Sequence, residues 1–112
     1  MARSPETEAR LRAALEGHEG ISEKPMMGAV CFFLDGNMVG CADLGDGDGR
    51  FMFRVGKAAQ DDALAQPGAE PAILGGRRMG GLIFVAAGAC DAAALRDWTA
   101  RALDFARTLP PK

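Results

Sequence analysis

Met26-Met27-Gly28-Ala29-Val30-Cys31-Phe32-Phe33-Leu34-Asp35-Gly36-Asn37-Met38-Val39-Gly40-Cys41, followed by Arg50-Phe51-Met52-Phe53-Arg54-Val55-Gly56, decides the fold class of this chain. Two apolar runs flank the turn sequence Asp35-Gly36-Asn37, which predicts a β-hairpin. The third run puts Phe51, Phe53 and Val55 on one side and Met52 and Arg54 on the other. That is the period of a strand in a sheet buried on one face and polar on the other. The hairpin admits two registers. A two-residue turn at Gly36-Asn37 sets Cys31 against Ala42, whereas a three-residue loop Asp35-Gly36-Asn37 sets it against Cys41.

Outward from the hairpin, the N-terminal side reads as a helix. Ser4-Pro5-Glu6 supplies an N-cap, a proline at the first helical position and an acid in the first turn. Leu11, Ala14, Leu15 and His18 follow at helical spacing, and Glu6 with Arg10 and Glu8 with Arg12 lie one turn apart. Gly17 and Gly20 end the helix, and Pro25 delivers the chain, extended, into the first strand. On the C-terminal side, the Ala-rich stretch Lys57 to Gln66 predicts a second helix stopped by Pro67-Gly68. Gly75-Gly76-Arg77-Arg78-Met79-Gly80-Gly81 reads as a glycine-rich turn leading into the strand Leu82-Ile83-Phe84-Val85, with Ile73-Leu74 a short strand pairing to it. Asp91 or Cys90 caps a last helix, in which Leu95, Trp98, Ala102, Phe105 and Leu109 form one apolar stripe wide enough to cover a sheet. Pro110-Pro111 stops it. The expected fold class is α+β: a two-layer helix-β(3)-helix-β(2)-helix domain over residues 1–112, with helices on one face of a largely antiparallel sheet.

The hairpin, the strand end Arg54-Val55-Gly56, the turn Gly76-Arg77-Arg78-Met79-Gly80-Gly81 and the closing Trp98 with Leu103-Asp104-Phe105-Ala106 resemble, in the right order, the TfoX/Sxy N-terminal domain family. The resemblance runs from about Met26 to Lys112. It implies a fold like that of secretion chaperones and kinship with regulators of natural competence that work alongside the cyclic-AMP receptor protein. Met27 and Ala29 stand where the family usually has Phe and Gly, Arg78 replaces its Pro, and Gly80 its Lys. The helix-hairpin-helix-like C-terminal domain of the longer regulators has no counterpart, so the expectation is a stand-alone N-terminal module.

Composition narrows the function classes. With 112 residues, 48% of them apolar and 25% charged, the chain is long enough for one core. A net charge of -2 argues against strong duplex binding by this domain alone, since that affinity comes from clustered Lys and Arg. No apolar run approaches the roughly 20 residues that cross a bilayer, and the N-terminus lacks a signal-peptide core, so the expected location is the cytoplasm. Cys31, Cys41 and Cys90 are an odd count without Cys-x-x-Cys spacing, and His18 is the one histidine. Neither a disulfide framework nor a zinc site is expected, and no cofactor or metal.

No residue set here has the pattern of a catalytic centre. His18 lacks a Ser or Cys partner at motif spacing and reads as a helix-end cation. Asp43, Asp46 and Asp48 with Gly47 and Gly49 lack the fixed positions and bidentate Glu of a calcium loop and read as a solvated turn. The glycines around Arg77-Arg78 suggest an anion cradle, although no Gly-Lys-Ser/Thr ending follows. Cys31 and Cys41 read as small core hydrophobes or as a redox pair. The methionines read as core filler, with Met52 on the polar side of its strand as the exception. Arg50, Arg54, Lys57, Arg77 and Arg78 form a candidate anion- or partner-binding patch at one end of the sheet. The leading expectation is therefore a non-enzymatic regulatory or adaptor domain, monomer or homodimer, that binds another protein. The alternative is a small-molecule or anion-binding domain using the Arg77-Arg78 turn, including an enzyme of unrecognised type.

Overall fold

In a computed structural model, which describes residues 5–26, 29–42 and 49–112, the order of elements is α1 (Pro5–Leu15), β1 (Ile21–Met26), β2 (Ala29–Leu34), β3 (Asn37–Ala42), β4 (Arg50–Arg54), α2 (Gln60–Leu64), β5 (Ala69–Leu74), β6 (Arg77–Ala86), a 3-10 turn at Ala87–Ala89, and α3 (Ala92–Ala106). The strands form one open antiparallel sheet in the order β1-β2-β3-β4-β6-β5. The class is α+β, with one strand more before the second helix than the sequence pattern indicates. That strand is β1, whose residues from Ser22 to Met26 are all exposed. Ser22-Glu23-Lys24-Pro25 has no apolar alternation to announce a strand. It is held by the backbone of β2, along which Ile21 to Met26 pair with Leu34 to Ala29. At a sheet edge Pro25 is tolerated, because one side of the strand needs no ladder bond.

The central hairpin resolves the register in a third way. Asp35 (φ 51°) and Gly36 (φ 85°) are both left-handed and make a two-residue turn of type I′ closed by the pair Leu34–Asn37. Phe32 then faces Gly40 while Phe33 faces Met38, which leaves Val39 as a bulge. The bulge, rather than a three-residue loop, brings Cys31 opposite Cys41. It also reverses the alternation of β3, so that Val39 and Ala42 share one face and Met38 and Cys41 the other.

Both faces carry apolar clusters. The larger gathers Val30, Phe32, Phe51, Phe53, Val55, Ile83 and Val85 from the sheet with Leu11 and Leu15 of α1, Ala63 of α2, and Leu95, Trp98, Ala102, Leu103 and Ala106 of α3. The smaller, on the opposite face, consists of Ala29, Cys31, Cys41, Met52, Ala72, Leu82 and Phe84, without a helical residue. Met52, expected on a polar face, is thus 2% exposed. The Arg50 guanidinium, 4.1 Å from the centre of the Phe84 ring, covers part of this second cluster with a cation–π contact.

The helix ends follow local chemistry. Asp91, not Cys90, caps α3: its Oδ1 accepts the Ala94 amide at 2.8 Å. Helix α2 is shorter than the Ala-rich stretch that suggested it. Ser4 lies outside the described residues, and α1 begins at Pro5. Arg10 and Arg12 reach beyond the helix instead of merely bracing it. Arg10 donates to the carbonyls of Ala87 and Cys90, and the Arg12 fork grips the Glu23 carboxylate of β1 at 2.7 and 2.8 Å. Beyond α3 the chain returns to the hairpin. Asn37 Nδ2 donates to the Pro110 carbonyl at 2.9 Å, and the Lys112 amide donates to the Asp35 carbonyl at 2.8 Å.

Candidate functional site

Strand β6 has ten residues, and β4 pairs only with its second half: Arg54 lies opposite Leu82 and Arg50 opposite Ala86. Arg77 to Gly81 therefore run past the end of β4, paired with β5 alone through Ile73–Arg78 and Leu74–Arg77. This projecting two-stranded ribbon turns at Gly75 (φ 58°) and Gly76 (φ 77°), where an added Cβ would meet nothing within 4 Å. Consecutive left-handed residues again suit a type I′ hairpin, and glycine adopts them without steric penalty. The expected glycine-rich loop over 75–81 is thus a tight two-residue turn followed by a strand. Two of its four glycines sit at the tip and two at the root, so they do not form one cradle.

The root is fixed. The Gly81 carbonyl accepts both the Val55 and Gly56 amides at 2.9 and 3.1 Å, and the Gly81 amide donates to Gln60 Oε1 at 3.0 Å. Gly81 has φ 81°, and a Cβ there would press on the Gly56–Lys57 peptide at 3.3 Å. The Lys57 side chain runs beside Gly80, with Cε 3.1 Å from where a Cβ would stand. Arg54, at the end of β4, holds its guanidinium 5.3 Å from the Phe105 ring centre.

The five basic residues singled out in the sequence are thereby divided. Arg77 and Arg78 are exposed on the ribbon, and Lys57 lies at its root beyond Arg54. Arg50 is at the other end of β4, about 13 Å along the strand at ~3.3 Å per residue. Among the described residues no ion pair engages Arg77 or Arg78. As neighbours in a strand they point to opposite faces of the ribbon. Ile73, directly across from Arg78, is 53% exposed, the largest exposure of any large apolar side chain described. Sequence reading missed this side chain, taking it for half of a short strand. No local pattern signalled it, because the glycines around Arg77-Arg78 disguise the first half of the ten-residue strand as a turn.

The other candidates are placed as follows. His18 lies on the helical side, its Nδ1 3.3 Å from the Arg107 guanidinium, and lines a depression of about 220 Å³ with Arg96, Thr99 and Asp104. Asp43, Asp46 and Asp48 fall outside the described residues. Among the described residues no three His, Cys, Asp or Glu side chains are grouped so as to hold a metal ion. No described helix is long and apolar enough to cross a membrane. Cys31, Cys41 and Cys90 are buried free thiols. A hydrogen bond from Cys41 holds the Cys31 thiol below its ordinary pKa despite burial, and the Lys24 ammonium acts in the same direction. The same bond, with burial, pushes Cys41 up. Burial also pushes Cys90 up.

With this geometry in view, the sequence profile of the TfoX N-terminal domain matches residues 13–106 of the chain. Neither the curated proteins nor the solved structures contain a significant match.

Proposed function

This chain belongs to the TfoX N-terminal domain family, and from that membership and the shape of its sheet we propose that it is a small non-enzymatic regulatory or adaptor domain that acts by binding another protein. The family is associated with competence regulation, and a cytoplasmic role in competence or transcription control is the setting we propose. The arrangement of helices over one sheet face is read here as two-layer and secretion-chaperone-like, an architecture suited to holding a partner, with the domain acting as a monomer or homodimer.

The observation that carries this reading is the β5–β6 ribbon, one face of which presents exposed Ile73 beside Arg78, with Arg77 on the other face and neither arginine in an ion pair among the described residues. An apolar anchor with an arginine beside it suits a partner surface that is apolar at its centre and acidic at its rim. Edge strand β5 also offers backbone groups for strand addition beyond Glu70 and Pro71. At the opposite edge Glu23, Lys24 and Pro25 of β1 discourage such pairing. Two ribbon arginines on a chain of net charge -2 neutralise too few phosphates for strong duplex binding.

Affinity capture with the wild-type chain and with an Arg77→Glu/Arg78→Glu variant of equal melting temperature tests the proposal. A protein retained by the wild type and lost by the variant supports it. Capture that is indifferent to the charge reversal overturns the ribbon as the interface. Retention of small anions instead of protein, lost in the same variant, favours the anion-binding alternative. In a titration with unrelated duplexes, submicromolar salt-sensitive binding contradicts the absence of strong DNA binding.

A further inference from the structure

The sheet face on which no described helix packs carries a transverse row of side chains that the ribbon reading does not use. Lys24 of β1, Cys31 of β2, Cys41 of β3 and Met52 of β4 are successive cross-strand partners. The bulge at Val39 adds Met38 to the same face, and its Sδ lies 3.9 Å from the Cys41 Sγ. We propose that Cys31, Cys41 and Met38 form a binding site for a soft monovalent metal ion of the copper(I) class, with two thiolates and one thioether as ligands.

Distance, chemistry and charge support the assignment separately. Two sulfurs bound to one ion at about 2.3 Å each, the length of a zinc–thiolate bond, stand about 4.0 Å apart at a trigonal angle. The Cys41–Met38 separation of 3.9 Å already matches that span, and Cys31 is the direct cross-strand partner of Cys41. Thiolate with thioether is the donor set that selects copper(I) over harder cations. Zinc requires four nitrogen, oxygen or thiolate donors, and the one histidine of the chain lies at Arg107 on the helical side. Binding replaces two thiol protons by one cation, 2 RSH + M⁺ → [M(SR)₂]⁻ + 2 H⁺, which leaves one negative charge on the site. Lys24, across the strand pair from Cys31, supplies the compensating ammonium. Cys31, Cys41 and Met52 are almost fully buried, whereas Met38 is only partly so and opens the way in. The shell of Phe84, Leu82 and Met52 keeps water from a complex that would otherwise exchange and oxidise.

The test uses the full reduced chain under anaerobic conditions, titrated with copper(I) in competition with bicinchoninate, with silver(I) as a redox-silent probe. The expected result is one metal per chain, two protons released per metal and an all-sulfur shell by X-ray absorption. Cys31→Ser and Cys41→Ser each lose the competitive binding, Met38→Leu binds more weakly, and Cys90→Ser matches wild type. Met38→Leu keeps size and polarity, so its effect is readable even if a serine variant folds poorly. Metal bound equally by Met38→Leu, metal that follows Cys90, or failure to compete with bicinchoninate each overturns the site. So does mass-spectrometric evidence that copper only drives Cys31 and Cys41 into a disulfide without being retained.

Discussion

The indole of Trp98 lies stacked on the ring of Phe53, with centroids 5.9 Å apart and planes inclined by 12°. This contact joins the middle of α3 to the middle of β4, and Phe51 extends it at 5.8 Å from Phe53. Trp98→Ala should cost about 3 to 5 kcal/mol, a large share of the roughly 5 to 15 kcal/mol such a domain possesses. Trp98→Phe retains a ring and should cost less. Arg77→Ala, on the exposed ribbon, should stay within about 0.5 kcal/mol. Denaturant midpoints read all three, and an unchanged midpoint for Trp98→Ala means that α3 does not pack as described.

Gly56 and Gly75 both have positive φ, but only one is crowded. A Cβ on Gly56 would stand 2.5 Å from the Phe105 ring, whereas Gly75 has open space around it. Gly75→Ala should therefore show only the left-handed backbone penalty of about 1 to 2 kcal/mol. Gly56→Ala adds a clash on top of that penalty and should be clearly worse. Equal losses in thermal melts would show that Phe105 yields without resistance.

The link between Arg12 and Glu23 makes one contribution to stability pH-dependent. The guanidinium holds the Glu23 carboxyl below the usual carboxylate range, chiefly through the hydrogen bond. A depressed folded pKa stabilises above the unfolded value, and the stabilisation disappears as pH falls through the folded value. Both side chains are well exposed, so the effect is small and screened by salt. Glu23→Gln should melt slightly below wild type at neutral pH, and the gap should close on acidification. A gap that persists in acid would assign the loss to packing of β1.

Asn37 ties the end of the chain to the β2–β3 turn through the Pro110 carbonyl. Asn37→Ala should cost about 1 kcal/mol. It should also accelerate hydrogen exchange at the Lys112 amide, which is bonded to Asp35. Unchanged exchange at Lys112 would show that the tail holds its place without Asn37.

The alternation of Phe51, Phe53 and Val55 and the stripe Leu95, Trp98 and Ala102 were enough to predict an antiparallel sheet against a terminal helix. These are local periodicities, and each side chain reports its own face. That the chain turns around Asp35-Gly36-Asn37 and around the glycines at 75–81 was legible for the same reason, but that Asp35-Gly36 and Gly75-Gly76 make the two turns was decided by strand pairing. The candidate patch was legible only as a list of charges. Which of them share a surface depends on strand pairing, and the pairing of β4 with half of β6 puts Arg50 at one end and the ribbon arginines at the other.

From the sequence alone came the α+β class, the last helix with its buried tryptophan, and the resemblance that the family match bears out. Only the tertiary structure decided that Ser22-Glu23-Lys24-Pro25 is a strand, since nothing but the open edge of β2 makes it one. The same holds for Met52, buried because the second sheet face has its own cluster, and for the ribbon that exposes Ile73. The bulge at Val39 is the sharpest case. One extra residue reverses the alternation of β3 and sets Met38 beside Cys41, an outcome of ladder hydrogen bonds and burial on both faces that no local pattern encodes.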